Sequence, residues 1–158
     1  MRAILQRVSR GSVSVDGKTI SSIGAGYVIL LGIGHQDTPE IADELARKTT
    51  KLRVFQDEQE KMNLSVLDTK GSILVISQFT LYADTRKGNR PSFIDAALPE
   101  KAAQLVDVYC DYLRQYGVNT LQGVFGAHMK VDLVNDGPVT IFLEVPSSKD
   151  QSQSTVSN

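Results

Sequence analysis

The sequence predicts a mixed α/β domain that is mainly antiparallel β-sheet, barrel-like or layered, with two long helices packed on one side. Most of the chain consists of short apolar or alternating segments separated by turn residues, which is typical of strands. Only two stretches, 38–53 and 99–117, carry apolar residues at helical spacing. The turn signals near the start of the chain are those of tight hairpins, and hairpins join antiparallel neighbours.

The strand signals begin at once. Residues 2–15 predict one long strand, or two strands joined at Gly11. Asp16-Gly17 predicts a tight hairpin into 18–23. The apolar run 27–33 predicts a strand buried on both faces. Together these segments predict a β-meander.

The two helices have clear start signals. The first is expected to begin at Thr38 as N-cap, with Pro39 at its first position, and the second to run from Pro99 to Gly117. Residues 56–66, which follow the first helix, are expected to be rich in loops. The remaining segments with strand character are 72–82, 119–121 and 130–145.

Gly137-Pro138 interrupts the strongest strand signal, 130–145. Proline has no backbone N–H to donate to a β-ladder, so it must mark a turn, an edge or a functional segment. Asp136-Gly137 just before it favours a hairpin turn. Two interpretations stay open: the tip of a hairpin, or a rigid backbone segment directed at a ligand. A cis peptide bond at Pro138 would favour the second.

The composition is that of one soluble domain. The 158 residues are 41% hydrophobic and 22% charged, with a net charge of −1, so a nucleic acid would have to be bound by a local basic patch. We expect a single domain over 1–146. The tail 147–158 is rich in Ser and Gln and is expected to be disordered.

The sequence indicates a cytoplasmic protein without a membrane partner. Cys110 is the only cysteine, which excludes an internal disulfide and fits a reducing compartment. The first residues lack the apolar core of a secretory signal, and the longest apolar run, 27–33, is too short to span a bilayer. The two histidines, His35 and His128, are not at metal-ligand spacing, so no metal or other cofactor is expected.

One segment combines features of a functional site. An apolar strand leads into Ser77-Gln78-Phe79-Thr80, where a rigid element would deliver hydroxyl and amide groups to a site. Arg86, Lys87 and Arg90 follow in a loop that suits phosphate oxygens. Such a loop is also common as a solvated turn, and the combination with the strand favours the functional interpretation.

These residues resemble the D-aminoacyl-tRNA deacylase family. The resemblance depends on Ser77-Gln78-Phe79-Thr80-Leu81, the loop 86–93 and Asn135-Asp136-Gly137-Pro138-Val139-Thr140 in this order, and it extends over about 1–145. It implies a homodimeric hydrolase that cleaves the ester between a D-amino acid and the terminal ribose of tRNA. No cofactor and no DNA partner are implied.

The resemblance also implies roles for particular residues. Ser77, Gln78, Phe79 and Thr80 would line the catalytic pocket. Gly137 and Pro138, joined by a cis bond, would enter it from the other subunit, and Arg7 would hold that pair. Ala102, Phe125 and Met129 would form walls for the adenosine and the pocket.

The ester itself suggests the mechanism. An aminoacyl ester beside a free ribose hydroxyl is activated, so positioning and an oxyanion site of backbone N–H groups near Phe79 and Thr80 can suffice. The family resemblance implies that the substrate 2′-OH takes part. Thr80 as a covalent nucleophile is the alternative, but the sequence shows no adjacent base.

The Gly-Pro pair suggests the selectivity. Gly137-Pro138 against the α-carbon leaves room for hydrogen and not for a side chain, so L-aminoacyl-tRNA would be rejected and glycyl-tRNA accepted. Two other classes of function stay open: an RNA-binding module that uses Arg86, Lys87 and Arg90 without catalysis, and a structural oligomer in which Gly137-Pro138 is only a hairpin tip.

Overall fold

The computed structural model describes residues 1–146, so the disorder expected for 147–158 lies outside the described residues. Each element is bounded as follows: β1 (Arg2–Val15), β2 (Lys18–Ile23), β3 (Gly26–Gly32), α1 (Pro39–Lys51), β4 (Phe55–Gln56), β5 (Met62–Leu64), β6 (Ser72–Ser77), a 3-10 turn (Phe79–Tyr82), α2 (Pro99–Gln115), β7 (Asn119–Gln122) and β8 (Met129–Glu144).

Six strands form one curved sheet in the order β2-β1-β3-β6-β7, with β8 also paired to β1. β3 pairs parallel to β6, and β6 pairs parallel to β7. The sheet is therefore mixed, and the prediction of a mainly antiparallel sheet was wrong. Hairpin signals reveal antiparallel neighbours, whereas these parallel pairs are joined by crossovers through α1 and α2. Ser21 Oγ donates to the Gln122 carbonyl over 2.9 Å, linking β2 to β7 in a nearly closed, barrel-like sheet.

The long strand β1 lies at the centre of the sheet. One of its edges pairs with β3 through residues 2–8 and with β2 through residues 11–15. Its other edge pairs with β8 along the length of β1. The meander prediction was therefore wrong, because β1 is long enough for two shorter strands to share one edge.

The strands β3 and β6 are buried on both faces, as predicted for β3. Tyr27, Ile29 and Leu31 pack in the same apolar cluster as the buried faces of both helices. The residue between the first two, Val28, packs with Leu74 in a second cluster inside the curved sheet. Both helices therefore cover the same side of the sheet.

Helix α1 begins where the sequence predicts. Thr38 Oγ1 accepts a hydrogen bond from Ile41 N, and Pro39 occupies the first helical position. Helix α2 ends at Gln115, two residues before the predicted stop at Gly117. No helix in residues 1–146 is long and apolar enough to cross a membrane.

The predicted strand 72–82 is shorter than expected. β6 ends at Ser77, and the chain then turns into the 3-10 turn. Gln78 N donates to the Leu31 carbonyl over 2.7 Å, and Leu81 N donates to the Gln78 carbonyl. Gln78 thus closes the ladder with β3 and starts the turn, which directs the following residues out of the sheet.

The segment around Pro138 is a bulge in one continuous strand, and the hairpin prediction was wrong. β8 pairs with β1 on both sides of it: Asn135 lies opposite Val8, and Thr140 lies opposite Gln6. Residues 136–139, named here the Gly-Pro bulge, therefore lie opposite Arg7 alone. The Gly137-Pro138 peptide bond is cis.

Gly26 provides a test of this packing. Its φ is +150°, and a Cβ there would overlap the Ser72 carbonyl oxygen of β6. We expect Gly26→Ala to lower the free energy of unfolding in urea by about 3 kcal/mol. Gly24→Ala is the control, because its Cβ would meet nothing within 4 Å. Equal stability of the two variants would contradict the close approach of β3 to β6.

Candidate active site

A cavity of about 640 Å³ opens where β3 and β6 end. The carboxyl ends of adjacent parallel strands are a common place for ligand sites. The start of α2 and the segment before β8 form the opposite walls. The lining residues are Leu31, Ile33, Ile76, Ser77, Gln78, Phe79, Phe93, Ala96, Ala97, Leu98, Pro99, Ala102, Val106, Phe125, Gly126, Ala127, His128, Met129 and Val131.

The cavity brings together residues that lie far apart in the sequence. Ser77, Gln78 and Phe79 reach it from β6 and the 3-10 turn. Ala102 lies on α2, Phe125 lies in the loop before β8, and Met129 is the first residue of β8. Six of the residues singled out from the sequence therefore surround one space.

Thr80 is exposed and lies just beyond the lining residues. Gln78 Nε2 donates to Thr80 Oγ1, so the threonine hydroxyl contacts an amide, which is not a base. The first hydrogen bond of the 3-10 turn is donated by Leu81 N. The N–H groups of Phe79 and Thr80 precede that bond and receive no acceptor from the turn. Neither N–H group has a backbone acceptor among residues 1–146.

Sequence reasoning missed most of the apolar wall. Phe93 packs edge-to-face on Phe79, with ring centroids 5.0 Å apart. Leu98 lines the cavity and is 69% exposed, and the nearby Ile94 is 77% exposed. The available signal was the loop 93–98, in which every residue but Asp95 is apolar although solvent exposure favours polar side chains.

Few charged groups border the cavity. Among the described residues that line it, His128 is the only one with an ionisable side chain. The other histidine, His35, lies elsewhere, where its Nε2 contacts the Ile94 carbonyl at 2.7 Å. The described residues contain no group of three His, Cys, Asp or Glu side chains that could hold a metal ion. The cavity therefore suits a largely apolar group held by main-chain polar contacts.

The 3-10 turn is anchored from behind by charged groups. Arg2 donates to the Leu81 carbonyl over 3.0 Å and stacks on the Tyr82 ring. Tyr82 donates to Asp37 Oδ2 over 3.3 Å, and the Met1 ammonium donates to Oδ1 of the same carboxylate over 2.6 Å. Burial raises the pKa of Tyr82, so its hydroxyl stays a donor at neutral pH.

Arg7 holds the Gly-Pro bulge. Its side chain is buried, and its Nε donates to the Asp136 carbonyl over 2.8 Å. A second guanidinium nitrogen donates to the Val54 carbonyl. Gly137 has a φ of +144°, and a Cβ there would lie 3.1 Å from the same guanidinium and 2.9 Å from Val139 N. The site therefore requires glycine on both conformational and steric grounds.

The Gly-Pro bulge is not part of the cavity of its own chain. Neither Gly137 nor Pro138 lines it. The bulge lies opposite Arg7, three strands from β6, and the register places Ser77 four residues further along. At the usual strand spacing and rise, this separation is roughly 20 Å along the sheet.

The basic loop is less free than the sequence suggests. Arg86 Nε and a second guanidinium nitrogen donate to both carboxylate oxygens of Asp84, over 2.8 and 2.7 Å. This fork-like pair holds the pKa of Asp84 at about 2. Lys87 and Arg90 are exposed on the same loop. Lys87 and Arg90, rather than Arg86, therefore carry the positive charge that a phosphate can contact directly.

The comparisons with known proteins agree with this fold. The family model for D-Tyr-tRNA(Tyr) deacylase matches residues 4–144. The D-aminoacyl-tRNA deacylase of Deinococcus deserti is 58% identical over 146 residues, covering 92% of this chain and 100% of the relative. That of Thermomicrobium roseum is 59% identical over 144 residues, covering 91% of this chain and 94% of the relative.

Two solved structures share the architecture. A c-Myc DNA unwinding element binding protein superimposes with a TM-score of 0.88 at 44% identity, covering 93% of this chain and 100% of the other. A probable eukaryotic D-amino acid tRNA deacylase superimposes with a TM-score of 0.79 at 17% identity, covering 91% and 98%, which shows a shared fold.

The family model and these relatives define a hydrolase that acts on aminoacyl-tRNA. The chain belongs to the D-aminoacyl-tRNA deacylase family. The resemblance noted in the sequence is thereby confirmed, as is an enzymatic rather than a purely structural or purely RNA-binding role. tRNA is the substrate-bearing partner.

The Asp84–Arg86 pair can be tested by titration. We expect the Asp84 carboxyl to titrate at about pH 2 in wild-type protein, followed by NMR of its side-chain carbon. The pair is intact above that pH and is lost as the pH falls through this value. Arg86→Ala should move the pKa upward toward that of an ordinary aspartate. Lys87→Ala removes an equal charge from the same loop and should leave the pKa in place; equal shifts would contradict the direct pair.

Proposed function

We propose that the 640 Å³ cavity binds the aminoacylated 3′ end of tRNA and that the 3-10 turn stabilises the transition state of ester hydrolysis. The single observation that supports this most is the exposed start of the turn. Phe79 lines an apolar cavity large enough for an adenine ring, Thr80 follows it in the turn, and neither N–H group has a backbone acceptor among residues 1–146.

The chemistry needs no strong protein base. A water oxygen attacks the ester carbonyl carbon, the carbonyl oxygen becomes an oxyanion, and the bond to the ribose oxygen breaks as that oxygen takes up a proton. The N–H groups of Phe79 and Thr80 donate to the oxyanion, and the neighbouring 2′-OH assists proton transfer. The hydrogen bond from Gln78 to Thr80 Oγ1 argues against Thr80 as nucleophile, because an amide cannot accept its proton.

The apolar walls have complementary roles in this proposal. Ala102, Phe125 and Met129 pack against the adenosine and the substrate side chain. Phe79 and Phe93 form an aromatic pair at the mouth, where a base or an amino-acid side chain can stack. Ser77 and Gln78 orient the ester group from the end of β6.

We propose that the active enzyme is a homodimer. The Gly-Pro bulge lies roughly 20 Å from the cavity of its own chain, so it can reach a cavity only in a second copy. The strand that carries it also exposes apolar side chains: Val134 is 40% exposed, and Phe142 is 56% exposed. A second copy that covers Val134 and Phe142 would also lie against the Gly-Pro bulge, because all three are on β8.

Gly137 and Pro138 are proposed to read the handedness of the substrate. Placed against the α-carbon, they leave space for a hydrogen atom on that side and none for a side chain. A D-amino acid and glycine both present hydrogen there, whereas an L-amino acid does not. D-Aminoacyl-tRNA and glycyl-tRNA are therefore the proposed substrates, with Arg7 holding the selective segment in place.

The basic loop is proposed to contact the tRNA backbone. Lys87 and Arg90 meet phosphates directly, and Arg86 joins them when a phosphate replaces the carboxylate of Asp84. No contact to DNA is proposed. Because the substrate is aminoacyl-tRNA, we also infer that the protein acts in the cytoplasm.

A deacylation assay tests the activity and the selectivity together. We expect wild-type protein to release amino acid from D-tyrosyl-tRNA and glycyl-tRNA and to leave L-tyrosyl-tRNA intact, with and without a chelator. Pro138→Ala should gain hydrolysis of L-tyrosyl-tRNA by at least about tenfold, since one lost steric contact is worth that much.

Pro146→Ala is the matched control, because Pro146 is an exposed proline beyond the end of β8. It should retain the selectivity of the wild type. Glycyl-tRNA left intact while D-tyrosyl-tRNA is cleaved would contradict the steric account. Unchanged selectivity in Pro138→Ala would remove the Gly-Pro bulge from the mechanism.

Sedimentation equilibrium tests the dimer. We expect a mass of two chains at assay concentrations, and a shift toward one chain in Phe142→Lys, because a buried, unpaired charge opposes association. Met62→Lys changes a side chain of the same exposure, 56%, on β5 and should leave the mass at two chains. A wild-type mass of one chain in an active preparation would contradict the shared site.

A further inference from the structure

One side chain, that of Asn135, joins the two ends of the Gly-Pro bulge. The bulge leaves the β1 ladder after Asn135 and rejoins it at Thr140. Asn135 Oδ1 accepts from Val139 N over 2.7 Å, and its Nδ2 donates to the Val139 carbonyl over 3.2 Å and to Thr140 Oγ1 over 3.1 Å. The amide thus ties the first end of the excursion to the second.

These contacts replace a missing strand partner. Val139 lies in the bulge, where β1 offers no paired residue, and it is 93% buried with 7% exposure. A buried backbone N–H and carbonyl without partners are costly. The carboxamide of Asn135 presents an acceptor oxygen and a donor NH2 group at the right spacing, so it satisfies both groups of Val139, as a neighbouring strand would.

The position of Gly137 depends on Val139. A Cβ at Gly137 would lie 2.7 Å from Val139 Cγ2 and 2.9 Å from Val139 N, so the two residues are in close contact. On its other side the bulge is held by the bond from Arg7 to the Asp136 carbonyl. Arg7 therefore fixes the entry to the bulge and Asn135 its exit, and the Gly-Pro pair lies between them.

We propose that Asn135 is a positioning residue that determines stereoselectivity by fixing how far Gly137 and Pro138 project. This inference rests on the proposed role of the Gly-Pro bulge. Rejection of an L-amino acid requires the backbone to stay within a fraction of an ångström of the hydrogen on the α-carbon. A bulge held only at Arg7 can retreat and admit a side chain, whereas D-substrates never contact that space.

The experiment measures kcat/KM for matched D- and L-tyrosyl-tRNA in Asn135→Ala. We expect the ratio of D to L activity to fall by about tenfold, mainly through gained hydrolysis of the L-substrate, as three hydrogen bonds are lost. Thr140→Val is the matched control, because it removes one of the three and leaves the pair with Val139 intact. Its ratio should stay near that of the wild type.

A second variant guards against loss of folding. Asn135→Asp keeps the acceptor for Val139 N but turns the second contact into two facing oxygens, so it should lower the ratio in the same direction. Thermal unfolding by circular dichroism reports any purely structural effect. Lower thermal stability with an unchanged ratio in both variants would overturn the inference.

Pro138→Ala in the same assay distinguishes the proposed role of the Gly-Pro bulge from that of Asn135. If Pro138→Ala loses selectivity and both Asn135 variants keep it, the Gly-Pro bulge is selective and the role of Asn135 is wrong. If Pro138→Ala also keeps selectivity, the bulge does not determine selectivity, and the proposed role of Asn135 is wrong with it. A fall in the ratio for Pro138→Ala and both Asn135 variants, with Thr140→Val unaffected, is the expected result.

Discussion

The pairing of β8 with β1 is the constraint on which the other features depend. The two strands are paired from Arg2 opposite Glu144 to Val15 opposite Met129. Because side chains alternate along a strand, this register decides which residues of β8 face the core and which face solvent. It puts Met129 in the cavity wall at one end and leaves the four residues 136–139 opposite Arg7 alone near the middle.

One strand thereby serves two separate parts of the proposed reaction. Its first residues close the cavity, and its bulge carries the Gly-Pro pair some 20 Å along the sheet, by the usual strand spacing. The Gly-Pro pair, which is proposed to select the substrate, therefore does not line the cavity of its own chain. The proposed association of two copies would bring the two together, and the exposed Val134 and Phe142 on the same strand are the apolar side chains that it would cover.

The catalytic proposal depends on rigid main-chain groups rather than on titrating side chains. Gln78 ends the ladder with β3 and begins the 3-10 turn, while Arg2 and Asp37 hold the far end of that turn through Leu81 and Tyr82. Preorganised N–H groups need no reorganisation when charge develops on the oxyanion. Sequence inspection cannot find such a site directly, because backbone N–H groups look the same at every non-proline position.

The sequence by itself determined the two helices and the doubly buried β3, because periodicity and capping are local signals, and it left β1 open between one strand and two. Of the six predicted residues that line the cavity, Ser77, Gln78 and Phe79 lie in a local motif, whereas Ala102, Phe125 and Met129 were implied only by the family resemblance. Tertiary structure alone decided the parallel pairing of β3, β6 and β7, since hairpin signals say nothing about partners joined through helices. It also turned Asp136-Gly137 from an apparent hairpin into a bulge, and it turned Arg86 from a free cation into the partner of Asp84. The strand pairing and the bulge depend on contacts between elements far apart in the sequence, whose relative position no local pattern encodes. The Asp84–Arg86 pair is local, but the spacing of two charges does not show whether their side chains meet.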